Sequence, residues 1–256
     1  MHQHPSLYMH YLTNPHVFAT RVRTTEGPWI RALLDGELGP EAVLGFLIQF
    51  CALGVRMVEG VDGWMVRAGQ ACVRLGRREL GESIIERAAE EAGHDSMLVE
   101  DLFELAPLWR ERAGHQISAE NLLSQPPPRS VLRYAEIHEE VIASAAPWAQ
   151  LGIEYEIETM STVVGPPLIQ RCREDLGDEI MQGLSFVRAH VELDDEHTLT
   201  NAARIDELLA REPALGRDIA RAGAAALDAY LEFLSTCVEL GVRMAGDSSP
   251  RWSWVA

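Results

Sequence analysis

The chain has 256 residues and carries 39 Asp and Glu against 22 Lys and Arg, which gives a formal net charge of −17. A field of this sign repels phosphates and argues against nucleic acid or an anionic membrane surface as a partner. A chain of this length can bury roughly three quarters of its unfolded surface without a disulfide or metal to hold the core together. We therefore expect one domain over residues 1–256, in which 1–15 and 246–256 can form flexible tails.

The cysteines and the apolar runs indicate where such a chain resides. Four cysteines are widely scattered with no C-x-x-C pair: Cys51, Cys72, Cys172 and Cys237. This spacing fits reduced thiols in a cytoplasm better than a disulfide framework or a thiolate zinc site. The N-terminus has no long apolar core, and we expect no later run to approach the roughly 18 apolar residues of a membrane span. The sequence thus predicts a soluble cytoplasmic protein.

Almost every segment longer than ten residues repeats its apolar side chains with the period of a helix, and no period-2 strand pattern stands out. The predicted class is all-α, an up-and-down bundle of seven helices. Glycine and proline mark the predicted ends. In chain order, we expect helices at 28–38, 41–68 and 80–108, a fourth after the break at 124–130, and then 148–164, from 178 onward, and 215–244.

The third predicted helix contains a Glu-x-x-His pair, Glu91 and His94. On a continuous helix these residues lie about 60° apart, so a carboxylate and an imidazole one turn apart can reach the same ion. Both sit near the apolar line through Leu98 and Leu102. For this pair alone, an acidic residue beside a histidine on a solvated face is the simpler interpretation, and Glu90 is an alternative carboxylate.

The fifth predicted helix offers Glu154, Glu156 and Glu158. Glu154 and Glu158 share one face, whereas Glu156 points away and is expected on a charged outer face. Glu158 is followed by small and β-branched residues, which indicates burial. A buried carboxylate needs a partner, because an unpaired charge in a core neutralises or costs several kcal/mol.

The sixth predicted helix carries His190, Asp194 and His197 at spacings of four and three. Relative to His190, the other two side chains lie at about 40° and −20°, so the three share one narrow face. The apolar stripe that leads into them runs through Asp194, which directs the trio inward. A salt-bridge network of core histidines with Asp194 is the metal-free alternative.

Together these helices offer three carboxylates and three imidazoles: Glu91, His94, Glu158, His190, Asp194 and His197. Mixed oxygen and nitrogen ligands of this number fit two first-row ions such as iron(II) or manganese(II). Closed zinc sites take four ligands and often sulfur. The residues therefore favour a two-ion iron or manganese centre.

At these residues the chain resembles the heme-oxygenase-like di-iron oxidases and oxygenases, whose superfamily also includes thiaminase II and pyrroloquinoline quinone synthase. Four segments carry a resemblance that covers most of the chain: "IRALLDGELGPEAVLGFLIQF", "EEAGHD", "LGIEYEIET" and "HVELDDEH". It implies the heme-oxygenase-like fold and the same six ligands, with Glu158 chosen over Glu154 because it lies 32 residues before His190 (190 − 158). In one departure, some branches place the first glutamate two turns before the histidine, where this chain has Arg87.

The resemblance implies two Fe(II) ions, O₂ as co-substrate and, as an option, an external electron donor. It implies oxidation of a small, amino-acid- or amine-derived metabolite by N-oxygenation, desaturation or oxidative C–C cleavage, in specialised metabolite biosynthesis. Oxidative decarboxylation of a fatty acid is the alternative within the same fold. The candidates for contacting the substrate are Gln49, Tyr134, Tyr155 and Arg188. A homodimer is compatible with such a bundle.

Two other classes of protein compete with this interpretation. A ferritin-like di-iron protein would add Glu59 to a four-helix metal site. A metal-free bundle would be either an interaction module or a thiaminase-like hydrolase, which needs a thiol such as Cys51 or Cys172 in its pocket. His138 is expected on a polar helix face beside Glu139.

Overall fold

The computed structural model describes residues 11–246, apart from the side chains of 193–197. All regular structure in that part of the chain is helical, and it contains no strand, so the predicted all-α class is confirmed. Most of the two predicted tails, 1–15 and 246–256, lies outside the described residues. The α-helices are α1 (Pro15–Glu26), α2 (Pro28–Leu34), α3 (Pro40–Val58), α4 (Val61–Arg74), α5 (Arg78–Glu91), α6 (His94–Ala113), α7 (Ala119–Leu123), α8 (Arg129–Ala143), α9 (Gln150–Leu176), α10 (Ser185–Arg211) and α11 (Gly216–Met244).

Two of the seven predicted helices are each divided in the structure. The segment 41–68 belongs to α3 and α4, which meet at Glu59 and Gly60, and the segment 80–108 belongs to α5 and α6. Between α5 and α6, Gly93 has φ of 89°, a left-handed conformation that glycine adopts without a Cβ penalty. The prediction of one continuous third helix is wrong. Glu91 and His94, which were expected on one face of that helix, lie at the end of α5 and at the start of α6.

The proline pair Pro166–Pro167 lies inside α9 and does not end it, so the predicted end near residue 165 is wrong. Each proline removes a backbone N–H from the helix, which costs free energy. In the preceding turns the hydroxyls of Thr159, Ser161 and Thr162 donate to backbone carbonyls, an arrangement that bends helices slightly. Because α9 packs against both α10 and α11, tertiary contacts outweigh this local cost.

Helix α1 forms in a segment where no helix is predicted. The side chain of Asn14 caps it by accepting from the backbone N–H of His16, and α1 packs against α11. From α1, Arg21 reaches Glu156 with an Nε–Oε2 distance of 2.7 Å, and the Tyr11 hydroxyl donates to the same carboxylate at 2.9 Å. Glu156 is 1% exposed, so its predicted position on a solvated face is wrong.

The long helices enclose an apolar core in which α3 packs against α11 and α6. Helices α3 and α11 approach so closely that a Cβ on Gly241 would lie 2.3 Å from the backbone nitrogen of Phe46. This packing leaves a cavity between α3, α8, α9, α10 and α11, and the end of α5 reaches its wall.

The stretch Pro40–Arg74 is long and apolar enough to cross a membrane by length and composition, contrary to the expectation from the sequence. However, 78% of its most apolar window is buried inside the protein. Burial on this scale is the property of a core helix, and it accounts for the composition of α3.

Candidate metal centre

Three of the six predicted ligands come together in the structure. One donor atom from each of Glu91, His94 and His190 lies within 4.8 Å of the other two. Glu91 is the last residue of α5, His94 the first of α6, and His190 stands in the second turn of α10. A carboxylate oxygen with two imidazole nitrogens is a donor set that suits iron or manganese, so these residues fit one such ion.

The two histidine rings are held by neighbours that fix their orientation. The rings of His94 and His190 lie 4.6 Å apart at 68°, and Phe186 lies 4.0 Å from the His190 ring. His190 places Nδ1 2.8 Å from the carbonyl oxygen of Phe186. Since a carbonyl can only accept, we assign the proton to Nδ1, which makes Nε2 the nitrogen with the lone pair. Metal-binding histidines commonly show this arrangement.

The carboxylate of Glu91 is kept ionised although it is largely buried. Burial raises its pKa, but the hydrogen bond to His94 and electrostatic interactions with His94, His190 and Arg87 together outweigh that cost and lower it. The Glu91 Oε2 to His94 Nδ1 distance is 3.0 Å. An ionised carboxylate is the form that binds a cation.

Helix α10 is fixed at its first turn by a carboxylate from α6. Asp101, which is buried, accepts from the backbone N–H groups of Ser185 and Phe186 at 2.9 Å each. Those groups have no partner within the helix, and an anion there also interacts favourably with the helix dipole. Asp101 thereby sets the position of α10, and with it His190, relative to α6.

Glu158 is buried, as predicted, and two protein donors hold its carboxylate. Arg87 Nη2 lies 2.5 Å from Oε1, and Asn201 Nδ2 donates to Oε2 at 2.7 Å. Arg87 is 3% exposed and Asn201 is fully buried. The partner that a buried carboxylate needs is thus present on α5, at the position where the sequence departs from the resembled family.

Glu154, one turn before Glu158 on α9, is the carboxylate that the sequence left as an alternative. It is 8% exposed, and among the described residues no hydrogen bond of normal geometry reaches either oxygen, although Gln150, one turn earlier on α9, interacts with it as a donor. Arg87 Nε is the nearest cation, at 3.8 Å from Oε2. Burial raises the pKa of Glu154 to about 7, and Glu91 raises it further, whereas the charge of Arg87 and a hydrogen-bond interaction with Gln150 lower it by less.

Glu91, Glu154, Glu158 and His190 line the same cavity, whose other walls are mostly apolar. The cavity contains about 1050 Å³ of empty space, including space open to solvent. Its apolar walls come from α2, α3, α9, α10 and α11 and include Trp29, Leu33, Phe46, Phe50, Val164, Leu168 and Leu234. The candidate ligands therefore stand at the edge of an apolar chamber, an arrangement typical of small-molecule sites.

Of the four candidates for contacting a substrate, only Tyr134 lines this cavity. Tyr155 packs edge-on against Tyr11, Gln49 accepts from Gln125 Nε2 at 3.2 Å, and Arg188 is exposed on α10. Those three were chosen for their side-chain chemistry, and their places depend on how α3, α9 and α10 are rotated in the bundle.

Among the described residues, the sequence missed several polar groups of the cavity. His138 is 1% exposed and lines the cavity, so its predicted place on a polar face is wrong. Its spacing from Val131, Tyr134 and Val141 follows the apolar face of α8, a signal that could have found it. Gln150 and Tyr230 also line the cavity, and nothing in their local sequence distinguishes them.

Two predicted ligands, Asp194 and His197, lie outside the described side chains. The structure does not support the ferritin-like alternative, because the side chain of Glu59 is 42% exposed, pairs with Arg56 at 3.0 Å and does not line the cavity. No cysteine lines the cavity within the described part of the chain. Burial raises the pKa of the Cys51 thiol well above its usual range and that of Cys172 to about 12.

Fold and site together define an all-helical protein with a candidate metal centre beside an apolar chamber. The chain belongs to the iron-containing redox enzyme family, whose model matches residues 57–231, more than half of its length. The resemblance inferred from the motifs is confirmed at this level. Comparison with curated proteins gives no match.

Solved structures show the same fold at low sequence identity. A domain of unknown function with a heme oxygenase-like fold from Shewanella denitrificans has a TM-score of 0.73 at 16% identity, over 97% of this chain and 98% of its own. A TenA homolog from Pseudomonas syringae pv. tomato gives 0.70 at 16% identity, over 91% and 93%. A CADD-like protein of unknown function from Nostoc punctiforme gives 0.57 at 16%, over 90% and 96%. The heme-oxygenase-like fold is thus confirmed.

Proposed function

We propose that this protein is an iron-dependent oxidase or oxygenase that uses O₂ to oxidise a small substrate with an apolar body. The observation that carries the proposal is the cluster of Glu91, His94 and His190 at the edge of an apolar chamber, in a chain of the iron-containing redox enzyme family. Bound iron would supply the site at which O₂ is reduced. Manganese is the alternative metal, and an external electron donor stays a prediction.

The residues divide into two sets for two ions. Glu91, His94 and His190 would hold the first ion. Glu158, Asp194 and His197 would hold the second, as the resemblance implies. The protein's own part is to orient these donors: the Phe186 carbonyl fixes the tautomer of His190, and Asp101 fixes the start of α10. The apolar walls would exclude water from the reacting atoms.

The chamber is elongated along α9, whose residues line it from Gln150 to Leu168. Eighteen residues of helix (168 − 150) span about 27 Å at 1.5 Å each. The polar residues of α9 that line the cavity, Gln150, Glu154, Glu158 and Ser161, lie in the first part of this length together with Ile153, Ile157 and Met160, whereas Val164 and Leu168 line the last part. A substrate with one polar end and an apolar body would match this gradient.

The charges of the chamber favour an amine over a free amino acid. The chain contains no lysine, no arginine is among the described lining residues, and Arg87 beside them is already paired with Glu158, so a free α-carboxylate would find no unpaired protein cation there. Glu154 Oε1, which is not the oxygen nearest Arg87, could pair with an ammonium group. A fatty acid is the second candidate, because its alkyl chain would suit the apolar walls and its carboxylate could bind the ion.

An anaerobic Fe(II) titration of the metal-stripped protein tests the metal centre. We expect His94→Ala and His190→Ala to lose the first iron and O₂ consumption, because each removes one of three donors. His115→Ala is the matched control, since His115 is exposed, contacts the carbonyl of Ala113 and Trp109 Nε1 rather than a candidate ligand, and does not line the cavity. Undiminished iron binding by both site variants would contradict the proposal.

A substrate panel tests the second half of the proposal. Alkyl amines, fatty acids and amino acids of matched chain length would be supplied to the iron-loaded protein, with O₂ consumption and product mass as readouts. We expect long alkyl amines to stimulate O₂ consumption most, and Glu154→Gln to raise the KM for amines more than for fatty acids. Stimulation by polar amino acids alone would contradict an apolar substrate.

The remaining alternatives are less well supported. A thiaminase-like hydrolase requires a reactive thiol at the pocket, whereas no cysteine lines the described cavity and burial keeps Cys51 and Cys172 protonated. All four cysteines are free and buried, which supports a reducing compartment, and we propose the cytoplasm. The homodimer, and the absence of nucleic acid and membrane partners, stay predictions.

A further inference from the structure

Arg87 is a buried cation beside the candidate metal centre. It stands four residues before Glu91 on α5, hence on the same helix face, and only 3% of it is exposed. Three carboxylates surround its guanidinium: Glu158 at 2.5 Å, Glu90 at 3.5 Å and Glu154 at 3.8 Å. A buried arginine is retained only where carboxylates offset the loss of hydration, and here they include a predicted metal ligand.

The contact between Arg87 and Glu158 conflicts with metal binding by the same carboxylate. One oxygen of Glu158 accepts from Arg87 and the other from Asn201. A divalent ion bound to Glu158 would stand within a few ångströms of the guanidinium, where two positive charges repel strongly because little water screens them. Arg87 and a metal ion are therefore competitors for one carboxylate.

We propose that Arg87 is a resident cation that the second metal ion must displace from Glu158, so that the two ions bind in sequence. The inference rests on the proposed function, because it assumes ions at these residues. The first ion binds at Glu91, His94 and His190, which need no rearrangement of Arg87. The second ion takes Glu158 only as the guanidinium turns towards Glu154.

Glu154 is the acceptor that makes this exchange feasible. Its oxygens accept no hydrogen bond of normal geometry and interact only weakly with the neutral amide of Gln150, and Oε2 already lies 3.8 Å from Arg87 Nε. A shift of the guanidinium by a few ångströms would give Arg87 a charged partner in both states, so no buried charge is left unpaired. The guanidinium of Arg87 thus has two alternative positions, one paired with Glu158 and one paired with Glu154.

The test counts Mn(II) ions bound by the full chain after metal removal, using the electron paramagnetic resonance signal of free Mn(II). His2, His4, His10 and His16 are replaced by Asn in every variant, so that the histidine-rich N-terminus binds no ion. We expect the otherwise unchanged chain to bind one ion tightly, with a second dissociation constant weaker by about tenfold or more. Arg87→Met, which keeps the apolar stem and removes the charge, should bring the two constants closer together by about tenfold.

Three further variants separate this role from a structural one. Arg171→Met is the matched control, because Arg171 is paired with Asp175 and the carbonyl of Leu38 rather than with a candidate metal ligand, and it should leave both constants unchanged. Glu158→Gln should abolish the second ion and keep the first. Glu154→Gln should weaken the second ion, because Arg87 then has no alternative partner, and should have little effect in the Arg87→Met background.

The outcomes distinguish this inference from the proposed function. Equal constants in the unchanged chain, or a folded Arg87→Met variant with an unchanged ratio, would overturn the role of Arg87 alone. If circular dichroism shows that Arg87→Met does not fold, Glu154→Gln provides the test instead. An unchanged dissociation constant for the second ion in Glu154→Gln would then overturn the role of Arg87. The absence of even one tightly bound ion in the unchanged chain would instead overturn the metal centre itself.

Discussion

The buried residue His138 shows how one side chain can couple this protein's stability to pH. Its Nδ1 lies 3.1 Å from Gln150 Oε1, and its ring stacks on Trp64 at 4.3 Å. Burial lowers the pKa of His138 from 6.5 to about 4, and the hydrogen bond to Gln150 offsets only part of that effect. The folded protein therefore holds His138 neutral at pH values where the unfolded chain would protonate it.

We predict that metal-stripped protein loses stability as the pH falls from about 6.5 to about 4. In that window the unfolded state binds one more proton than the folded state, at a cost of about 1.4 kcal/mol per pH unit, or about 2 kcal/mol between pH 6.5 and 5. Urea unfolding of His138→Phe should show a correspondingly weaker dependence in this range. His115→Ala, at an exposed histidine, should keep the original dependence. Identical pH profiles for His138→Phe and the unchanged chain would refute the assignment.

At the scale of elements, the junction of α5 and α6 brings Glu91 and His94 together, which the sequence predicted for one continuous helix. Glu91 ends one helix and His94 begins the next, and Gly93 with φ of 89° connects them. The direction of His94 relative to Glu91 therefore depends on one left-handed residue.

Replacing Gly93 with Ala should destabilise the protein and also weaken metal binding. A left-handed conformation costs a residue with a Cβ about 1 kcal/mol, and relief of that strain would rotate His94 away from Glu91. Gly76→Ala is the matched control, since Gly76 has φ of 82° and both positions leave open space around a Cβ. We expect similar losses in unfolding free energy for the two variants, but a several-fold weaker Mn(II) affinity only for Gly93→Ala. Equal affinities would show that the junction does not set the site.

The sequence predicted the type of element well and the boundaries less well, for identifiable reasons. Apolar periodicity continues through Ala92–Gly93 and Glu59–Gly60, so it cannot reveal a change of helix axis. Pro166 and Pro167 are strong local stop signals, but α10 and α11 pack along α9 and override them. The N-terminal segment has too little periodicity to predict α1, and without α1 the burial of Glu156 cannot be foreseen.

For the whole molecule, the candidate site joins two parts of the chain that are distant in sequence: the consecutive helices α5 and α6, and helix α10. Residue types and spacing name Glu91, His94 and His190 as candidate ligands, and the structure brings these three together. The pairing of Arg87 with Glu158 and Asn201 could not be predicted, since it requires the relative rotation of α5, α9 and α10. Local sequence patterns identify the polar and apolar faces of one helix, whereas tertiary packing determines which faces of different helices are in contact.

Because the first site joins α5, α6 and α10, an ion there should stabilise the entire fold. His94 and His190 are 96 residues apart (190 − 94), so the unfolded chain cannot present both at little cost. Binding to the folded state alone adds about 2.7 kcal/mol at a concentration of 100 times Kd, which corresponds to a rise in Tm of about 5–10 °C at this chain length. Thermal unfolding with Mn(II) should show that rise in the unchanged chain and in His115→Ala, but not in His190→Ala. If His190→Ala kept the full rise, the stabilising ion would bind elsewhere, and the link between α10 and the α5–α6 junction would have to be abandoned.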